Sequence, residues 1–317
     1  MTEDLSGRAL LTSILLATDG SASAKPAQEL ALTLAQRFHA VLHVVAVLEF
    51  ESWRDLEYRV NQLYLEDRRR EVRDLIAAVE REARAVHVTV VPHEPIGAPS
   101  QEIVALAASE HADLIVLGTH GRTGLDHVLI GSTAERVLRT APCPVVTVRS
   151  GIPTQMGLFS PSRAFDELLV AVDFSECSLE AVEYAAQLGE RFGSTLTLLH
   201  VVEPVAYGLD FTLSHALTGA ALRADVERSM SGLVEAFKRR GLTAHQEILP
   251  GLPADVIPRV AVERRSDALV IGTHGRRGWS HFRFGSVAEA VARHAKCPVF
   301  AVRSPKFQTS EKVGTKR

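Results

Sequence analysis

Cysteine is scarce in this chain, with only Cys143, Cys177 and Cys297 among 317 residues. None stands in a C-x-x-C pair, which excludes a disulfide framework, and no histidine and cysteine spacing matches a zinc site. Uninterrupted apolar runs of spanning length are also lacking, and Met1-Thr2-Glu3-Asp4 has neither the basic nor the apolar region of a signal peptide. The expectation is a cytoplasmic protein with no membrane partner. A formal net charge of −3 leaves no surplus of one sign, hence no electrostatic reason to expect nucleic acid. Two phosphate-binding signatures are missing as well. There is no G-x4-G-K-[ST] loop and no G-x-G-x-x-G after the first apolar run, so motor ATPases and dehydrogenases are poor fits.

What is present is the composition of an ordinary globular chain, 46% hydrophobic and 23% charged, long for one core and comfortable for two. Internal repetition organises it. A single offset of 154 residues carries Asp19 onto Asp173, Gly118 onto Gly272 and Arg149 onto Arg303. This is a tandem duplication, with domains expected at 10–149 and 164–303. Between them 150–163 reads as a linker rich in glycine, proline and serine, and 304–317 as a polar, disordered tail.

Each copy opens on a short apolar run closing on a carboxylate, Ser13 to Asp19 and Glu167 to Asp173. Such runs, alternating with helical patterns, predict a parallel sheet covered on both faces. Ser23 is expected to cap the first helix, with Pro26 in its first turn. In the second copy Leu179, Val182, Ala186 and Leu188 are expected on the inward face. Second strands follow at 41–48 and 195–202, and third strands at 86–91 and 243–249. A charged helix at 54–84 carries Arg68-Arg69-Arg70, a solvated face given the acids around it. In the second copy 204–218 reads as a loop before a helix starting at about 220. The fifth strands fall at 144–148 and 298–302. Five strands alternating with helices make each half an open doubly wound α/β domain.

Each copy is arranged around the stretch after its fourth apolar run, Asp113 to Leu117 and Asp267 to Ile271. Gly118-Thr119-His120-Gly121 is followed by nine residues and then Gly131-Ser132; Gly272-Thr273-His274-Gly275 is followed by nine and then Gly285-Ser286. Glycine lets backbone approach a ligand with no Cβ in the way, and a helix amino terminus offers unpaired N–H groups and a positive dipole end. That combination holds phosphate. Ser132 with Glu135 and Ser286 with Glu289 also have capping-box spacing. In doubly wound sheets ligands sit beyond the strand carboxyl ends, where strand order reverses. Asp19 and the Gly118 loop meet there if the first and fourth strands are neighbours.

The spacing G-x2-G-x9-G-[ST] between strand and helix, complete twice, resembles the nucleotide loop of ATP-binding universal stress proteins. The resemblance covers nearly all of both halves. It implies two tandem domains of an adenine nucleotide alpha hydrolase-like fold, each with a five-stranded parallel sheet of order 3-2-1-4-5. It implies ATP, with Mg or Mn as an optional companion, contacted by Asp19 and Asp173 at the nucleoside and by the backbone of Val47 and Val201 beside the adenine. Both valines follow their aspartate by the same interval. Gly118, Gly121, Gly131, Ser132 and Thr133, with Gly272, Gly275, Gly285, Ser286 and Val287, would line ribose and phosphates. Arg122 and Arg276 have two readings, as cations on a phosphate or as solvated residues. The resemblance further implies an intrachain pseudo-dimer through the fifth strands, with a further homodimer and an unidentified protein partner as options.

His120 and His274 admit a general acid or base role or a hydrogen bond and packing on the loop, and no carboxylate has a recognisable spacing to either. Cys143 and Cys297, each before a proline, read as small buried side chains or as redox sensors. With no second chemical centre, the leading expectation is a nucleotide-dependent sensor or regulator in stress adaptation, turning over ATP weakly at most. A slow ATP hydrolase or adenylyl-transferring enzyme is the alternative.

Overall fold

The computed structural model describes residues 10–49, 58–119, 130–150, 165–203, 213–275 and 284–303, the side chains of 58–64 and 213–222 excepted. The expected tail and all of the expected linker but Ser150 lie outside the described residues, as do His120, Gly121, Arg122 and Arg276. Two compact units divide the chain, Met1–Ala164 and Phe165–Arg317.

The first unit runs β1 (Ser13–Ala17), α1 (Lys25–Phe38), β2 (Val41–Val45), α2 (Tyr58–Ala85), β3 (Val90–His93), α3 (Pro99–Ser109), β4 (Leu114–Gly118), α4 (Ser132–Thr140) and β5 (Val145–Val148). All its strands pair in parallel, in the order β3-β2-β1-β4-β5. Right-handed crossovers then place α1 and α2 on one face and α3 and α4 on the other. With both faces covered, consecutive residues are buried: Ile14, Leu15 and Leu16 are fully inaccessible, as are Leu114, Ile115 and Val116. Burying each such side chain contributes about 1.5–3 kcal/mol.

The second unit repeats the plan with β6 (Glu167–Ala171), α5 (Glu176–Phe192), β7 (Thr195–Val202), α6 (Leu213–Arg239), β8 (Thr243–Pro250), α7 (Pro253–Glu263), β9 (Ala268–Gly272), α8 (Ser286–His294) and β10 (Val299–Val302). Its order is β8-β7-β6-β9-β10, again parallel throughout. The switch in strand order falls between β1 and β4 in one unit and between β6 and β9 in the other.

Several local expectations fail for identifiable reasons. Ser23 does not cap α1; Ala24 holds the cap position, and the Ser23 hydroxyl is engaged by Ser21 Oγ at 2.8 Å. The third strand of the first unit starts at Val90, because α2 runs to Ala85 and then closes in a turn, with Val86 and Val88 N–H both donating to Ala83 O. β2 ends at Val45, leaving only an isolated bridge between Leu48 and Ile96. In the second unit α6 begins at Leu213, so the loop expected to 218 is helical from there and Gly219 is absorbed within it; 204–212 lie outside the described residues. Leu179 is 43% exposed, since Cys177, Ala181, Ala185 and Leu188 define the inward face of α5. Neither capping box forms. Gly131 and Gly285 are the cap residues, and their N–H groups already donate to Thr119 O and Thr273 O, so Glu135 and Glu289 pair forward with Arg139 and Arg293 instead.

Candidate functional site

β1 and β6 stop two residues short of their aspartates, which begin the following turn. Asp173 Oδ1 accepts the N–H of Ser175 at 2.9 Å, and Asp19 Oδ1 accepts the N–H of Ser21 at 3.0 Å and its hydroxyl at 2.6 Å. A carboxylate that binds its own backbone two residues on is the Asx turn, which fixes where the side chain points. In the second unit the turn also starts the helix. Ser175 caps α5 by accepting the Ser178 N–H, and its hydroxyl donates to His274 O at 3.1 Å. Ser178 Oγ accepts the N–H of Asp173 at 3.0 Å.

The bond from Ser175 to His274 ties the turn after β6 to the loop after β9. Two glycines permit the approach. A Cβ on Gly272 would lie 2.7 Å from the carbonyl carbon of Cys177 and 2.8 Å from the N of Ser178, within the first turn of α5. A Cβ on Gly275 would lie 2.7 Å from Asp173 Oδ2. The sequence explains why both positions are glycine: real Cβ contacts do not approach this closely, so any other residue would push the turn or the carboxylate away.

The loop closes on itself at its far end. Gly285 N–H donates to Thr273 O at 2.8 Å, and Gly131 N–H to Thr119 O at 2.7 Å. These amides are therefore committed to the loop and are not donors for an anion, contrary to the expectation for glycine N–H groups at these positions. The first-turn N–H groups of Ser132 and Thr133, and of Ser286 and Val287, have no acceptor within their helices. Ser132 and Ser286 are exposed and make no capping bond.

The structure thus brings Asp173, Gly272, Gly275 and Gly285 around one crevice, with Ser286 and Val287 opening the helix beside it. In the first unit Asp19 and Gly118 follow adjacent strands, paired as Ala17 with Leu117, and Gly131, Ser132 and Thr133 open α4. Val201 lies in β7, one strand over from Asp173, and is half-buried; Val47 lies just past β2, between the Ala46 N–H bonded to His93 O and the Leu48 N–H bonded to Pro95 O. His274 is buried, with Nδ1 2.9 Å from Thr273 Oγ1. Among the described residues no group of three or more histidine, cysteine or acidic side chains is arranged to hold a metal.

Sequence reasoning passed over Ser21 and Ser175. Their signal was present as D-x-S after the first strand of both copies, at the interval an Asx turn requires. It also passed over Phe174, which takes a positive φ of 62° where the first copy has Gly20 and lies against His200, whose Nδ1 donates to Val172 O at 2.6 Å. The cysteines resolve more simply. Cys143 and Cys297 are buried, and that burial, reinforced by Asp113 and Asp267, pushes both thiols up to about 12.

An open parallel sheet with an aspartate turn just past its first strand and a glycine closing its fourth, built twice, defines a tandem crevice-type α/β protein. The model of the universal stress protein family matches residues 11–149 and again 164–303. The chain belongs to that family, and membership supports a role in the stress response. A universal stress protein of Methanocaldococcus jannaschii is 34% identical over 143 residues, 45% of this chain and 84% of the relative. One from Mycobacterium tuberculosis is 30% identical over 207 residues, 62% of this chain and 63% of the relative, so the match spans less than two thirds of that protein. A universal stress protein of Archaeoglobus fulgidus, solved by crystallography, shares the fold with a TM-score of 0.67 at 23% identity, over 92% of this chain and 96% of the other. Among the described residues no helix is long and apolar enough to cross a membrane.

Proposed function

We propose that each unit binds ATP in the crevice between its first and fourth strands, and that the chain acts in the cytoplasm as a nucleotide-dependent regulator of stress adaptation. The observation that carries this reading is the Cβ-free approach of Gly275 to Asp173 beside the amino terminus of α8. On this reading Asp19 and Asp173 hold the ribose, Val47 and Val201 offer backbone to the adenine, and the first turns of α4 and α8 take the phosphates through N–H groups and the helix dipole. By their places in the sequence pattern, Gly121, Arg122 and Arg276 would complete the phosphate side. Mg or Mn would enter with the phosphates, neutralising their charge; among the described residues no carboxylate set is gathered for it.

Such a site binds ground-state phosphate without a positioned base, so ATP is held far more than it is hydrolysed. Output comes from a shift in population: nucleotide favours the loop arrangement to which it binds more tightly and alters which protein partner the surface accepts. β5 and β10 each end the strand order of their own unit, and an unpaired strand edge invites pairing; we infer an intrachain pseudo-dimer through these edges, with homodimers as a further step. Denaturing the purified protein and identifying the released small molecule by mass spectrometry tests the ligand. Adenine nucleotide supports the reading, and rapid phosphate release in single turnover would favour an enzyme.

A further inference from the structure

The sheet of the first unit contains two imidazoles in contact. His43 lies in β2 and His93 in β3, the edge strand of that unit. His43 Nδ1 is 3.0 Å from His93 Nε2, and the rings stack with centroids 5.3 Å apart and planes 20° from parallel. Two nitrogens at that distance share one hydrogen: one donates and the other accepts, so the pair is satisfied only while at least one ring is neutral. A second proton would set two N–H groups and two positive charges face to face. Among the described residues the carboxylate facing this cluster is Glu110, at the carboxyl end of α3, 3.7 Å from His43 Nδ1.

The charged groups nearby are otherwise engaged. Ser13 of β1 donates its hydroxyl to the backbone carbonyl of Glu110 and not to the carboxylate. Glu94, the next residue of the chain after His93, is paired with Arg73 of α2. Asp113 accepts from Thr12 and Ser13. Burial pushes both histidines below their usual 6.5; His43 is lowered further by His93, while Glu110 opposes the shift in each.

The second unit carries a different chemistry at the same places. The duplication offset puts Thr197, Glu247 and Arg264 where the first unit has His43, His93 and Glu110. Arg264 and Glu247 form an ion pair at 3.0 Å, which offers no imidazole to titrate. His245, also in β8, lines the same cleft as the Glu167 carboxylate.

We propose that the His43–His93–Glu110 cluster makes the first unit a proton sensor, in which acidification breaks the shared hydrogen bond and loosens the pairing of β2 with β3. The sign follows from linkage. Histidines lowered in the folded state bind fewer protons than in the unfolded state, so the stability they contribute is complete above 6.5 and is lost as pH falls below it. The segment carrying Val47 is held by bonds to His93 O and Pro95 O, so loosening β3 also loosens the nucleotide crevice of the first unit alone; that consequence rests on the ATP reading, and the sensor itself does not.

Hydrogen exchange on the full chain without nucleotide, read by mass spectrometry at about pH 7.5 and about pH 5.5 and corrected for intrinsic rates, separates the two. Protection of peptides covering 41–48 and 90–96 is expected to fall on the order of tenfold, about what the loss of one hydrogen bond is worth, while 195–202 and 243–250 hold theirs. His93→Gln, which keeps a hydrogen-bonding group without a titrating proton, should abolish the difference, and His43→Thr, the residue of the second unit, should do the same. Glu110→Gln should enlarge it, because the counter-charge is gone. Equal protection at both pH values in the wild type, or the same acid response in His93→Gln, would overturn the proposal whatever the protein binds.

Discussion

Asp173 and Gly275 stand so close that a Cβ on the glycine would lie 2.7 Å from the carboxylate Oδ2. Residues 102 positions apart in the chain are therefore adjusted to each other at the point where β6 and β9 diverge. Because the obstructed atom ends a side chain, the carboxylate can turn aside and the fold need not yield. Gly275→Ala should change stability by less than about 0.5 kcal/mol yet weaken ATP at the second unit on the order of tenfold, about 1.4 kcal/mol. Titration calorimetry paired with thermal unfolding checks both halves of this expectation; equal loss in both would make the contact purely structural.

Gly272 faces a harder obstacle, the backbone of Cys177 and Ser178 at 2.7–2.8 Å. Backbone cannot rotate out of the way as a side chain can. Gly272→Ala should destabilise the second unit by about 1–3 kcal/mol, the range for forced overpacking. A lowered urea midpoint at unchanged slope is the expected record.

Ser175 and Ser21 answer their aspartates alike, but only Ser175 caps a helix. Ser175→Ala should therefore cost about 1 kcal/mol, more than Ser21→Ala, which removes the exchangeable hydroxyl contacts to Asp19 and Ser23 and leaves the start of α1 as before. Chemical denaturation of the two variants side by side would detect a reversed order.

The strand-loop-helix plan was legible because buried parallel strands are written as continuous apolar runs, and a duplicated pattern states each run twice; the pairing order came from the family resemblance alone. Boundaries were less so. The start of β3 depends on the turn through Val86 and Val88 that closes α2, and Gly219 reads as a breaker although α6 carries it. The capping boxes were misread because their spacing says nothing of the Thr119 and Thr273 carbonyls that already occupy the cap N–H groups. The aspartates and glycines announced themselves by type and interval; the His43–His93 contact did not, since its partners lie fifty residues apart on different strands.

Cys143 and Cys297 should behave as inert core residues. With both thiols pushed up to about 12 by burial, the thiolate is a small minority near pH 8. Thiol-reagent labelling of the native protein should be slower by orders of magnitude than in denaturant, on the order of the population that opens. Rapid native labelling at either site would restore a redox reading.

The most direct test of the account is the number of nucleotides one chain holds. Titrating ATP into the purified protein stripped of ligand should saturate at two per chain. Gly131→Glu and Gly285→Glu, which put a bulky anion where phosphate is expected, should each reduce that to one while the other site keeps its affinity. Saturation at two that neither substitution changes, or no binding at millimolar ATP, would contradict it.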